Sequence, residues 1–103
     1  MESIQQKIKL FCTQNQLDAP IEHKLLDLQS EIGELSKELL KMTDYGSKPL
    51  TYKPDFESEL GDVFYSLISI ANHFDIDLEQ ALEKVLTKYE KRLTKGTMGS
   101  ESD

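Results

Sequence analysis

One cysteine, Cys12, is all the thiol this chain contains, so it holds no internal disulfide and suits a reducing compartment. Cys12 sits beside Phe11 on an apolar helical pattern, which favours a buried structural thiol over a nucleophile. Tryptophan is absent, and the 3 prolines fall at positions 20, 49 and 54, outside every periodic stretch. No run approaches the roughly 20 apolar residues that span a bilayer. Met1–Lys9 is polar and lacks the apolar segment of a secretory leader, so a cytoplasmic location is expected. Cations are scarce: 12 Lys and Arg face 19 Asp and Glu, for a net charge of −7. That balance argues against gripping a nucleic-acid polymer, which depends on neutralising phosphates. It leaves a free nucleotide open, because a few local cations and a metal suffice for one. A glycine-rich phosphate loop is missing as well.

What remains is helical. Apolar residues recur at helical spacing from Glu2 to Gln16 (Ile4, Ile8, Leu10, Phe11) and from Ile21 to Thr43 (Ile21, Leu25, Leu28, Ile32, Leu35, Leu39). Asp18 is the expected cap of the second stretch, with Pro20 in its first turn. Tyr45–Pro54 breaks the pattern. Asp55 is the expected cap of a third helix carrying Phe56, Leu60, Val63, Leu67, Ile70 and Phe74. Asp77 with Gln80 three residues on resembles a capping box opening a fourth, with Leu78, Leu82, Val85, Leu86 and Tyr89 as its stripe. The expected fold is all-α, a bundle of roughly four helices. Apolar residues make up only 38% of the 103, so completion of the bundle by oligomerisation is expected. Residues 1–93 form the expected domain, and Thr94–Asp103, rich in Gly, Ser and Thr, an expected disordered tail.

One motif occurs twice. Ser30-Glu31-Ile32-Gly33-Glu34-Leu35 and Ser58-Glu59-Leu60-Gly61-Asp62-Val63 match position for position, 28 residues apart. On a helix, residues three apart project about 60° from one another, so Glu31 with Glu34 and Glu59 with Asp62 are two-pronged sets. Both sets flank an apolar stripe and should converge at the edge of the core when the helices pack. Four such carboxylates repel unless a cation sits among them, and an all-oxygen set favours Mg2+, with Mn2+ as its alternative, over softer metals. A di-iron bundle needs Glu-x-x-His, and His23 and His73 do not fall at that spacing. Gly33 and Gly61 each cost roughly 1 kcal/mol in mid-helix, which suggests a close backbone approach or room for a ligand. The bland alternative is a solvated acidic face; the doubling with matched glycines argues against it.

Lys84, Lys88 and Arg92 follow at i, i+4, i+8 on one side of the fourth helix, with Glu79, Glu83 and Glu90 on the other. Basic residues late in a helix also favour its dipole, so the run alone is indecisive.

Together these residues resemble the MazG-type all-α nucleotide pyrophosphohydrolases, relatives of the dimeric dUTPases. The likeness rests on Leu28–Leu35, on Glu59–Val63 and on Lys88-Tyr89-Glu90-Lys91-Arg92-Leu93, and covers about Ile21 to Leu93. It departs at Ser30, where many members carry a second Glu, and at Leu86, where an Asn is common. The resemblance implies Mg2+-dependent hydrolysis of a nucleoside triphosphate between its α- and β-phosphates, in the service of nucleotide house-cleaning. It implies that Glu31, Glu34, Glu59 and Asp62 hold the metal and that Glu34 or Glu38 orients or deprotonates the attacking water. Lys84, Lys88 and Arg92 would bind the polyphosphate, and the base would lie in an apolar slot near Phe11. It implies a homodimer or homotetramer. Two other readings stay open on the residues alone: a non-catalytic helical interaction module, and a nucleotide-binding sensor without turnover.

Overall fold

A computed structural model describes residues 2–96. Its elements are α1 (Glu2–Gln14), α2 (Ile21–Met42), α3 (Asp55–His73) and α4 (Leu78–Thr94), and no strand occurs among the described residues. The fold is all-α, as the periodicity predicts. Residues 97–103 of the expected tail lie outside the described residues; Thr94 still belongs to α4, and Lys95 caps it.

The helix ends follow local chemistry, with two corrections to the expected caps. Pro20, not Asp18, stands at the start of α2, in an extended conformation (φ −57°, ψ 148°) and with no side-chain cap. Asp18 instead lies 3.7 Å from Lys24 Nζ. Pro54, not Asp55, precedes the first turn of α3, again without a side-chain cap. In both cases proline fixes the backbone for helix entry, and Asp55 falls inside the first turn, where its charge favours the helix dipole. The third expectation holds: Asp77 accepts from the Glu79 and Gln80 amides, at 2.9 and 3.2 Å.

Between α2 and α3 the chain turns through Asp44, Tyr45 and Gly46, all with positive φ. It then folds back over the buried Met42. Thr51 N–H donates to Met42 O at 2.8 Å and Lys53 N–H to Met42 Sδ at 3.2 Å. This return makes α2 and α3 antiparallel neighbours, and their seam is the main packing contact of the chain; α1 lies on α3. Ile68 and Ala71 on α3 join Met42 as the fully buried apolar residues among those described. α4 has no comparable seam with any other helix.

The seam does not follow the whole apolar stripe read from the sequence. On α2 the covered positions are Ile21, Lys24, Leu28, Glu31, Leu35, Glu38 and Met42, and on α3 Phe56, Glu59, Val63, Ser66 and Ile70 are half-buried. These recur at alternating steps of three and four, the spacing of antiparallel helices packed side by side. Leu25, Ile32 and Leu39 on α2, Leu60 and Leu67 on α3, and Phe74 at the C-terminal cap of α3 are between 42% and 58% exposed. They form a second heptad-spaced apolar row on each helix, turned away from the seam.

Candidate metal centre

The register just described decides where the acids go. Glu31 and Glu38 occupy seam positions on α2, between Leu28, Leu35 and Met42, and Glu59 occupies one on α3 between Phe56 and Val63; all three are half-buried. The carboxylates expected to flank the stripe thus partly replace it. Glu34 and Asp62 fall one step off the line and are exposed.

Across the seam Glu31, Glu59 and Asp62 each present a carboxylate oxygen within 4.8 Å of the others. Glu34 stands outside this group of three but within its field. Glu59 is pushed above the ordinary value of 4.5, first by the loss of water around a carboxylate set between apolar neighbours, then by the charges of Asp62, Glu31, Glu34 and Glu38. Glu38 faces the same cluster from one side and accepts from Lys41 Nζ at 3.2 Å on the other. That bond, with the charge of Glu38, raises Lys41 above 10.5.

The donor set is all oxygen, it is drawn from two helices, and the charges of its neighbours add to the loss of water in holding Glu59 above its ordinary value. Those are the properties of a site that fits a hard divalent cation: Mg2+ and Mn2+ take carboxylate oxygens, and their charge relieves the repulsion. Glu31, Glu59 and Asp62 would hold such an ion, and Mg2+ usually keeps several waters beside its carboxylates.

Gly33 and Gly61 sit within the two motifs. A Cβ built on either meets nothing within 4 Å, so the close backbone approach expected there does not occur within one chain. Lys84 is exposed on α4, and Lys88 and Arg92 are half-buried with their cationic groups each 5.7 Å from the Tyr89 ring. Because α4 shares no seam with α2 or α3, a single chain does not lay these cations along the acid-bearing seam.

Near the first helix, Phe11 meets the Tyr65 ring edge-on, with centroids 6.5 Å apart. Cys12 is half-buried rather than buried, its Sγ lying 3.2 Å from Tyr65 Oη. That contact, with burial second, pushes the Tyr65 hydroxyl up to about 12. Lys7, Ile8, Leu10, Gln14, Phe11 and Tyr65 line an apolar recess of about 450 Å³ here, and Tyr65 stands one helical turn beyond Asp62.

An all-α chain with paired Glu-x-x-acid motifs facing each other across a helix seam defines a class. The chain belongs to the MazG nucleotide pyrophosphohydrolase family, whose domain matches residues 21–96. Among its relatives is the uncharacterised protein YpjD of Bacillus subtilis (strain 168), 40% identical over 68 residues. That match spans 63% of this chain and 60% of YpjD. The crystal structure of Bacillus subtilis YpjD, described as a candidate pyrophosphatase, superposes with a TM-score of 0.72 at 34% identity. It covers 89% of this chain and 94% of that one. No described helix is long and apolar enough to cross a membrane.

Proposed function

We propose that this protein is a Mg2+-dependent nucleotide pyrophosphohydrolase that cleaves nucleoside or deoxynucleoside triphosphates between the α- and β-phosphates, releasing the monophosphate and pyrophosphate. The observation that carries the reading is the convergence of Glu31, Glu59 and Asp62 across the α2–α3 seam in a chain of the MazG family. House-cleaning of non-canonical or excess nucleotides in the cytoplasm is the role this activity serves, and residues 1–93 are the unit that performs it.

Glu31, Glu59 and Asp62 would hold the metal, with Glu34 beside them. A divalent ion bound there supplies charge neutralisation to phosphate oxygens and a fixed frame for in-line attack. Of the two carboxylates considered for orienting the attacking water, Glu38 is engaged by Lys41. Glu34 is therefore assigned to orient the water, and Glu38 stays paired with Lys41 beside the acids. Lys84 and Lys88 act as point charges toward the polyphosphate, and Arg92 can fork onto two of its oxygens. Their charge offsets the negative charge that moves onto the leaving pyrophosphate.

The working unit is an oligomer, a homodimer or homotetramer. The support is the second apolar row: Leu25, Ile32, Leu39, Leu60, Leu67 and Phe74 are exposed in one chain at the heptad spacing by which helix bundles close. A second copy on that face covers the leucines and brings further helices, α4 among them, toward the acids.

The deciding experiment is pyrophosphate release from a panel of ordinary and damaged NTPs and dNTPs, with and without Mg2+. Metal-dependent release that disappears in folded Glu59→Gln and Asp62→Asn variants is expected. A metal-independent rate, or full activity in those variants, would sink the reading. Metal-dependent binding of a triphosphate without release would identify a sensor instead.

A further inference from the structure

α4 carries the three cations assigned above to the polyphosphate, and it shares with no other helix a seam like that of α2 and α3. α3 ends at His73. Asp75 then takes a left-handed φ of 54°, and Ile76 N–H returns to Ala71 O at 2.9 Å. Asp accepts this conformation more readily than most residues.

A side chain from the other end of the molecule enters this corner. Gln5 on α1 is 6% exposed, the one buried polar residue among those described. Its Nε2 donates to Ile76 O at 2.7 Å and to Asn72 Oδ1 at 3.1 Å. Its Oε1 accepts from Leu78 N–H at 2.9 Å, and Asn72 Nδ2 donates back to Gln5 O at 3.0 Å. Which end of the Gln5 amide is which follows from the backbone: Ile76 O needs a donor and Leu78 N–H an acceptor. A carboxamide meets both demands at once.

Leu78 N–H belongs to the helix-start amides that have no partner within their own helix. Gln5 takes that one, and Asp77 takes the next two. The last turn of α3, the connection and the first residue of α4 are thereby tied to a single buried amide on α1. A cross-link serving only to hold α1 on α3 has no need to reach Leu78.

We propose that Gln5 and Asn72 are positioning residues: they fix the angle at which α4 departs, and through it the place of Lys84, Lys88 and Arg92. This rests on the assignment of those cations to the polyphosphate. Leverage makes the angle matter. Arg92 lies about 21 Å along α4 from Leu78, so a tilt of about 10° moves it by about 4 Å, beyond hydrogen-bond reach.

The test is steady-state pyrophosphate release by Gln5→Leu in the wild-type and Lys88→Ala backgrounds. Expected are a kcat/KM roughly tenfold lower, and a Mg2+-induced Tm shift equal to that of the wild type. In the Lys88→Ala background the same change should lower kcat/KM by a clearly smaller factor, because one of the three contacts it displaces is already gone. Additive effects, an unchanged kcat/KM, or a lost Mg2+ shift would overturn the proposal. Should Gln5→Leu not fold, Gln5→Glu takes its place; it keeps the acceptor for Leu78 and loses both donors, and the same pattern is required of it. If the wild type releases no pyrophosphate, the functional reading has failed, and the corner is judged by geometry. Spin labels at Ser58→Cys and Glu90→Cys, in a Cys12→Ser chain diluted with an excess of unlabelled protein, should give one narrow distance that broadens in Gln5→Leu. An unchanged distribution overturns the positioning role.

Discussion

Glu31 on α2 and Glu59 on α3 bring carboxylate oxygens within 4.8 Å of each other across the seam of the two longest helices. Each stands where the packing register calls for an apolar residue. The helices can close there only by forcing like charges together or by admitting a cation between them. Crowding of this kind should lower the stability of the metal-free protein, and the cost should be measurable.

Neutralising Glu59 is therefore expected to act in opposite directions on stability and activity. In metal-free buffer Glu59→Gln should melt at the same temperature as the wild type or higher, since it removes a repelled charge. With Mg2+ it should lose the stabilisation that binding gives by mass action, and its activity should fall by roughly 100-fold or more. Thermal melts with and without Mg2+, read beside pyrophosphate release, check both halves. A lower metal-free Tm with an intact Mg2+ response would show that Glu59 is a packing residue.

The same carboxylate fixes the sign of a pH effect. Its value is raised above 4.5 in the folded protein, so just above that pH the folded state holds a proton that the unfolded state has released. Stability then falls as pH rises. The contribution of Glu59 is present below about pH 4.5 and is lost as pH rises through its raised value. Urea midpoints of the wild type minus those of Glu59→Gln should decline over this window without metal, and saturating Mg2+ should flatten the decline. A difference that rises with pH contradicts the arrangement.

Gly61 and Gly33 offer a cleaner stability test. Each lies mid-helix with open space where a Cβ would stand, so Gly61→Ala should stabilise the isolated chain by about 1 kcal/mol through helix propensity. In a dilution series of urea melts that gain should persist where the protein is monomeric. If it reverses at high protein concentration, the glycine serves the contact between copies.

The exposed apolar row carries its own prediction. Leu67 is 42% exposed on a face with Leu60 and Phe74, and a carboxylate placed there would be buried unpaired in any oligomer closed over that row. Leu67→Glu should give a helical monomer by sedimentation and circular dichroism, with pyrophosphate release reduced at least about tenfold. An unchanged oligomer would move the interface elsewhere.

The helices themselves were plain in the sequence, because 3.6-residue periodicity and the three prolines delimit them with little ambiguity. The acids were legible for the same reason: Glu31 and Glu59 repeat within a matched frame. The packing face was harder. The leucines of α2 read as one broad stripe from Ile21 to Leu39. The chain closes instead on Lys24, Glu31 and Glu38 as well as Leu28 and Leu35, and charged residues in a seam carry no hydrophobic signal. The steps of three and four linking Leu28, Glu31, Leu35 and Glu38 were the available clue. Asp18 and Asp55 misled because both residue type and position fit a cap, while the adjacent prolines already set the backbone. Gln5 gave no sign at all. A glutamine on an amphipathic helix looks solvated until a distant turn supplies partners for its amide.

Tyr65 and Cys12 supply the remaining prediction. The Cys12 contact, and burial after it, hold the Tyr65 hydroxyl up at about 12 against an ordinary 10.0. A group raised in this way contributes stability that is complete below the unfolded value and lost as pH rises through the folded one. Alkaline unfolding should thus show a component between about pH 10 and 12. Cys12→Ala removes the larger cause and should draw Tyr65 back toward 10.0, visible as earlier tyrosinate absorbance from one of the 4 tyrosines. Near neutral pH both proteins keep Tyr65 protonated, so the pH profile of pyrophosphate release below pH 9 should be the same in each. A change in that profile would mean that Cys12 reaches the chemistry by a route other than the ring it touches.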